Sequence, residues 1–324
     1  MLYPLKFKHI YKDKIWGGNR FSETFGRTDC NSSNCGESWE ISAVQDNISV
    51  VSNGFLKGNN LQEIVEIYMD ELVGQRVYEK FGDEFPLLIK FIDTNDDLSI
   101  QVHPDDEIAK KRHKAYGKTE MWYVVDADVD GNLIVGFEKN SSKQEFAQAL
   151  KDNTFPNLLH SEVVRKNDVF YIPAGRIHAL GKGLLIAEIQ QTSDITYRIF
   201  DWNRVDDKGN PRELHTDLAM DVIDYEAQDD YKIHYDLQND VTTKLVSCEY
   251  FTTNLIQFDC PVVKDYYPID SFVIYMCLEG SVLINFEGDY EELMTKGETV
   301  LIPASLHKIT LTPKGEAKIL EIYM

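Results

Sequence analysis

No run of about 18 apolar residues occurs anywhere in the chain, so a membrane-spanning helix is not expected. The opening segment MLYPLKFKHIYKDK also lacks the apolar core of a secretory leader, and the chain reads as cytoplasmic. Cysteine is sparse: Cys30, Cys35, Cys248, Cys260 and Cys277 are an odd number with no CxxC pair, which predicts reduced thiols. Cys30 and Cys35, with no second Cys or His pair nearby, make a poor zinc knuckle. The Asn-x-Ser matches at Asn31, Asn47 and Asn140 carry no meaning in a chain that is not secreted. Positive charge is also scarce, since 33 basic residues face 54 acidic ones and the net charge is −21. Such a surface repels nucleic acid and anionic membrane. The one basic cluster, Lys110, Lys111, Arg112 and Lys114, is expected on the solvated face of a short helix beginning at Pro104-Asp105. An anionic ligand would need a local positive pocket, which Lys90, Lys118, Arg176 and Arg198 could supply.

What the chain does have is β pattern. Its 324 residues suggest two domains, and a hydrophobic content of 43% is that of an ordinary globule. Residues 36–54 alternate like strands, followed by PLLIKFID, LSIQVH, TEMWYVV, NLIVGF, VVRKNDVFYIP, HALGKGLLIAEIQQ and ITYRIF. Helices are predicted over 61–73, closed by Gly74, near 142–151, and over ELHTDLAMDVI at 213–223. The acidic stretch 224–240 is the best boundary, giving a catalytic part at 1–235 and a C-terminal part at 236–324. Beyond it GETVLIPASLHKI echoes NDVFYIPAGRIHA, which suggests two jelly-roll halves. The expected fold is therefore mainly β, two jelly rolls with a few short helices.

Chemistry concentrates in the first half. In a strand, residues two apart share a face, so Gln101 and His103 of SIQVHPDD point the same way and Pro104 ends the strand. Glu120 lies in GKTEMWY, and His178 in IPAGRIHALG. PAGRIH fits the PxGxxH pattern of a cupin strand-turn-strand, in which Pro173 and Gly175 shape the turn and His178 opens the return strand. Gln101 stands where a His is commoner, and Asp168 stands where a Gly is common at the start of that motif, which leaves the local turn open. One carboxylate with three neutral ligands would leave a divalent ion a formal charge near +1, and the absence of thiolates argues against a closed structural zinc. The second half has no counterpart of Gln101, His103 or Glu120. It reads as a metal-free cupin, with His307 a core or surface histidine.

Together SIQVHPD, GKTEMW, IPAGRIHALG and QQTSDITYRIFDW resemble a type I mannose-6-phosphate isomerase. The resemblance extends to KIWGG and to GESWE, covers essentially the whole chain, and is to the short bacterial form without a helical insertion between the cupin halves. It implies an aldose–ketose isomerase that interconverts mannose 6-phosphate and fructose 6-phosphate through an enediolate. One Zn2+ per chain would be bound by Gln101, His103, Glu120 and His178. By the same resemblance Glu188 is a candidate base, with a pKa raised by burial in the barrel; the alternative is that it pairs with a lysine or arginine. Arg198 either pairs with an acid such as Asp201 or faces a ligand, and the resemblance favours the ligand.

Lys118, two residues before Glu120, would face the same cavity, and Lys90 would share its face with Leu88 and Ile92. Either could hold phosphate or sugar hydroxyls, Lys118 is also a candidate catalytic residue beside Arg198 and Glu188, and Ser99 shares the face of Gln101 and His103. His9, His113, His160, His215 and His234 have no comparable context. Trp16, Trp39, Trp122 and Trp202 read as core or pocket wall. Two other readings stand beside the isomerase: an iron-dependent cupin oxygenase, and a non-catalytic cupin that binds a sugar phosphate.

Overall fold

Residues 1–30, 32–205, 208–288 and 290–324 are described in a computed structural model, so Asn31 of the first Asn-x-Ser match lies outside the described residues. Four antiparallel sheets form two jelly rolls. In the first, a six-stranded sheet runs Ile10–Gly18, Cys35–Ile41, Leu87–Thr94, Leu184–Gln191, Glu120–Ala127, Val169–Ile172. It faces a five-stranded sheet ordered Tyr197–Phe200, Ile100–Val102, His178–Leu180, Asn132–Phe137, Leu159–Val163. Val241–Ser247, Thr252–Phe258, Ala317–Tyr323, Val273–Glu279 and Thr299–Ile302 make the first sheet of the second roll, opposite a four-stranded one. The fold is mainly β, as the pattern predicts.

LLIKFIDT and LLIAEIQQ show why these runs are apolar throughout: every residue of both strands is buried, on both faces of the sheet. Leu87, Ile89 and Phe91 point outward into a core that also contains Phe272, Ile274, Met276, Leu320 and Ile322. One hydrophobic core is thus shared by the two rolls. The alternate face, with Ile92, Trp122, Val124 and Ile186, lines the first barrel. The acidic stretch after residue 224 is strapped to that barrel. Tyr231 is buried in it, Ile233 N–H donates to the Val169 carbonyl at 2.8 Å, and Lys232 pairs with Glu162 and Asp168.

The helix over Leu61–Val73 buries Leu61, Ile64, Val65, Leu72 and Val73 and starts with a capping box between Asn60 and Glu63. Asp105 caps Asp106–His113, whose Lys110, Lys111 and Arg112 are exposed, and Ser142 caps Lys143–Lys151. Two expectations need correction. The helix predicted over 213–223 spans only Thr216–Met220. Its first residues are pinned alongside the preceding strand, where His215 N–H donates to the Arg198 carbonyl and Arg198 N–H to His215 Nδ1. Residues 36–54 form a strand only to Ile41, after which single bridges at Val50 and Val51 replace a ladder. Helices at Arg20–Phe25 and Gln75–Phe81 carry too few apolar positions to announce themselves. All five cysteines are free, and among the described residues no helix is long and apolar enough to cross a membrane.

A buried ion pair ties the first roll to the second. Arg27 holds Glu40 by two bonds of 3.0 and 3.1 Å and also donates to the Gly297 carbonyl. Phe21, Phe25 and Phe91 surround the guanidinium. Glu40→Ala would leave that cation buried without its counter-charge, at an expected cost of about 3–5 kcal/mol read from denaturant unfolding. Replacing both residues by leucine should cost clearly less. Equal losses in the single and double variants would show that the two side chains are not coupled.

Candidate metal centre and substrate pocket

The strand Ile100–Val102 lies between two partners, with Gln101 opposite His178 on one side and opposite Arg198 on the other. Three side chains of the predicted site are therefore set side by side by register alone. Glu120 comes from the facing sheet, where it opens its strand opposite Ile172 and Gln190. His103 is placed by the PAGRIH turn, whose Gly175 N–H donates to the His103 carbonyl at 2.9 Å. Gly175 has φ +88, and a Cβ there would stand 2.9 Å from the Val222 carbonyl oxygen, so the motif's glycine is required twice over. The turn left open by Asp168 is made by Asn167 at φ +76, with the Asp168 carboxylate accepting from Arg165 N–H at 2.9 Å.

Ligand-type atoms of His103, Glu120 and His178 all lie within 4.8 Å of one another, and the three residues are fully buried. His103 Nδ1 meets the Ile195 carbonyl at 2.8 Å and His178 Nδ1 the Arg176 carbonyl at 2.9 Å. Each Nδ1 must then carry the proton, which leaves the lone pair of each ring on Nε2, at 3.6 and 3.4 Å from the Glu120 oxygens. Burial keeps both imidazoles neutral, His178 with its pKa pushed down to about 4 and His103 well below the usual range. Neither Glu120 oxygen accepts a hydrogen bond of acceptable geometry. Burial pushes its carboxyl up to about 7 against the pull of the Lys118 ammonium, 3.2 Å from Oε2. Gln101 Nε2 lies 3.3 Å from His178 Nε2, so a half-turn of the amide brings its oxygen to the same point. A buried carboxylate that accepts no hydrogen bond, with the Lys118 ammonium on one side and two oriented imidazoles facing it, fits a divalent cation.

Above these groups opens a cavity of about 430 Å³. Lys90, Ser99, Gln101, Lys118, Glu188 and Arg198 all line it, as do Trp16, Trp39 and Trp122. Its walls carry six cationic side chains against three carboxylates, in a protein of net charge −21. Lys118 Nζ stands 3.2 Å from His103 Nε2 as well as from Glu120, closer to the metal-type ligands than its place in the sequence suggests.

Glu188 does not have the raised pKa expected of a buried base. Burial raises it, but Lys90, 3.1 Å away and directly across the ladder, and then Lys118 bring it below the usual carboxylate range. Trp122 Nε1 donates to its other oxygen at 2.9 Å. Arg198 is not paired with Asp201, whose oxygens are taken by Arg204 and Arg212. It donates to the Glu213 carbonyl instead, and its Nε is buried without a partner. Arg176 is absent from the cavity wall; it donates to the Tyr171 carbonyl and lies over the Tyr231 ring.

Several wall residues were not foreseen. Lys12 and Lys14 line the cavity at alternate positions of the strand that also carries Trp16, expected as core or pocket wall, a parity that KDKIW carries in plain view. Glu37 of GESWE is pushed up by burial and pulled down more strongly by Lys90 and Lys14, to about 2. Arg212 and Asp194 have no local signal. Trp202 stays outside the cavity and donates to the Leu98 carbonyl. His307, half-buried, stacks on Tyr267 at 4.3 Å in the second roll. Among the described residues, the other grouping of ligand-type side chains, Asp240, Asp259 and Cys260, is exposed.

Fold and site together define an enzyme of the cupin class with a cationic pocket over a candidate metal centre. Residues 4–131 match the family model of the phosphomannose isomerase type I catalytic domain. The chain is 36% identical over 317 residues to the mannose-6-phosphate isomerase ManA of Bacillus subtilis, covering 97% of each. It is 37% identical over 311 residues to the mannose-6-phosphate isomerase of Streptococcus mutans, covering 94% of each. The crystal structure of the mannose 6-phosphate isomerase from Bacillus subtilis matches all of both chains with a TM-score of 0.89 at 32% identity. A phosphomannose isomerase variant from Salmonella typhimurium matches 99% of each chain at TM-score 0.82 but only 15% identity, a likeness of fold alone. The chain belongs to the type I phosphomannose isomerase family, a family of metal-dependent aldose–ketose isomerases.

Proposed function

We propose that this protein interconverts mannose 6-phosphate and fructose 6-phosphate through an enediolate, using one zinc ion per chain held by Gln101, His103, Glu120 and His178. The observation that carries the reading is Glu120, a fully buried carboxylate without a hydrogen bond between two imidazoles that present Nε2, at the base of a cation-rich cavity. Held by Gln101, His103, Glu120 and His178, a zinc ion would supply Lewis-acid polarisation. Glu188, kept ionised by Lys90, takes the proton from one carbon of the open-chain sugar and returns it to its neighbour. Arg198, opposite Gln101 in register, stabilises the oxygen on which negative charge develops. Lys118, Ser99 and Lys90 hold sugar hydroxyls near the reacting carbons. Residues 1–235 form the catalytic part and 236–324 a metal-free cupin that braces it. The setting is cytoplasmic, with neither nucleic acid nor membrane as partner.

A coupled assay for fructose 6-phosphate formation, with metal analysis of the same preparation, tests the proposal. Zinc with turnover supports it. Iron with oxygen consumption would favour an oxygenase, and metal without turnover a binding protein. Arg198→Ala should lower turnover about 10²- to 10³-fold while zinc content stays near normal. Unchanged turnover would return Arg198 to a structural role.

A further inference from the structure

The strand that carries Arg198 runs straight into Asp201, a carboxylate only 5% exposed. Both of its oxygens are engaged. Arg204 Nη2 donates to Oδ1 at 2.6 Å and Arg212 Nε to Oδ2 at 2.6 Å, while Arg212 Nη2 closes a second bond onto Oδ1. Arg212 is thereby gripped as a fork, which fixes the plane of its guanidinium as well as its position. The two arginines then part. Arg204 turns away to the Asp97 carbonyl and to Asp96, whereas Arg212 lines the cavity beside Arg198.

Arg198 and Arg212 are like charges on one wall, and burial first, then Arg212, makes the Arg198 guanidinium less basic than usual. Asp201 offsets their repulsion from behind, and an anion in the cavity would offset it from in front. Arg198 lies against the metal-centre strand, so it belongs to the reacting end. Arg212, which has no place in that strand, keeps 30% of its side chain exposed. The lysines of the cavity floor already face carboxylates, Lys90 with Glu188 and Lys118 with Glu120.

We propose that Arg212 binds the anionic end of the substrate, a phosphomonoester, and that Asp201 is the positioning residue that holds Arg212 to this task. The substrate class rests on the sugar-phosphate reading above; the placement of Arg212 does not. Inorganic phosphate is the probe, added to the metal-loaded full-length protein and measured by calorimetry and as an inhibitor of isomerisation. Arg212→Ala should weaken phosphate binding about 10- to 100-fold, the loss of one charge-assisted fork. Arg212→Lys should recover only part, because an ammonium cannot form the fork. Asp201→Asn should raise KM for mannose 6-phosphate about 10-fold while kcat changes less, since Arg212 remains present but is no longer oriented. If Asp201→Asn does not fold, Arg212→Ala decides alone. Phosphate binding equally tightly to Arg212→Ala and to the unmutated protein would overturn the proposal. So would a loss of preference for the phosphorylated sugar in Lys90→Ala or Lys118→Ala that Arg212→Ala does not share. A protein that binds phosphate through Arg212 yet forms no fructose 6-phosphate would instead sink the isomerase reading and leave this one standing.

Discussion

Glu120→Ala is expected to release the metal and to lower turnover at least about 10⁴-fold, the several kcal/mol of charge stabilisation that a Lewis acid provides. Glu120 is the one anion among the four proposed ligands, so its removal leaves a divalent charge facing three neutral donors. Lys118 makes the loss steeper. Its ammonium stands 3.2 Å from Glu120 Oε2, and without that carboxylate it would oppose the incoming cation. His178→Ala should lose the ion as well, because the sheet register places no substitute opposite Gln101. His307→Ala, in the second roll and stacked on Tyr267, should keep about one ion per chain. Elemental analysis beside turnover decides the matter. Two ions per chain in the unmutated protein, or full occupancy after both ligand changes, would refute the assignment.

Free mannose should be a poor substrate, with an efficiency at least about 10³-fold below that of mannose 6-phosphate, equivalent to roughly 4 kcal/mol. A dianion approaching a chain of charge −21 meets an unfavourable field at long range. Salt screens that field over about 8 Å, whereas contacts inside a partly buried pocket are screened much less. The excess of cations over carboxylates on the cavity wall then dominates at close range. Binding energy from the remote phosphate is used to hold the reacting carbons over the metal centre, so its absence is felt in kcat as well as KM. Comparable efficiencies for the two sugars, measured by the same coupled assay, would refute the phosphate pocket and favour a free-sugar isomerase on this scaffold.

That Gln101, His103, Glu120 and His178 come together was legible because each of the motifs that carry them is local. Gln101 and His103 stand two residues apart in one motif, and the PxGxxH turn carries His178 and holds the His103 carbonyl through Gly175 N–H, so only short segments have to be brought together. The charge state of Glu188 was not legible. It depends on Lys90, 98 residues away and directly across the ladder, and no periodicity within either strand reveals that pairing. The partner of Asp201 failed for a related reason. Arg198 is nearest along the strand, but its side chain faces the cavity, while Arg204 and Arg212 return to Asp201 through a loop. The repeated β pattern announced two rolls. It could not announce that the outward faces of two fully buried strands pack into a core shared between the rolls, because an apolar residue reads the same whichever half it packs against.

Arg27 gives the two rolls a shared history. Its guanidinium is neutralised by Glu40 in the first roll and completed by a backbone carbonyl of the second, at Gly297. Gly297 has φ +82, and a Cβ there would run into the Phe25 ring, so the position admits almost nothing else. Leu5 and Leu301 exchange backbone hydrogen bonds across the same junction, at 2.8 and 2.9 Å. A chimaera that took its C-terminal roll from a distant relative would inherit a seam cut for another arginine and another aromatic ring. The halves are therefore expected to have diverged in step, with substitutions at residues 5, 25, 27 and 40 answered by substitutions near 297 and 301, and a graft that carried both sides of the seam should fold where a simple exchange does not.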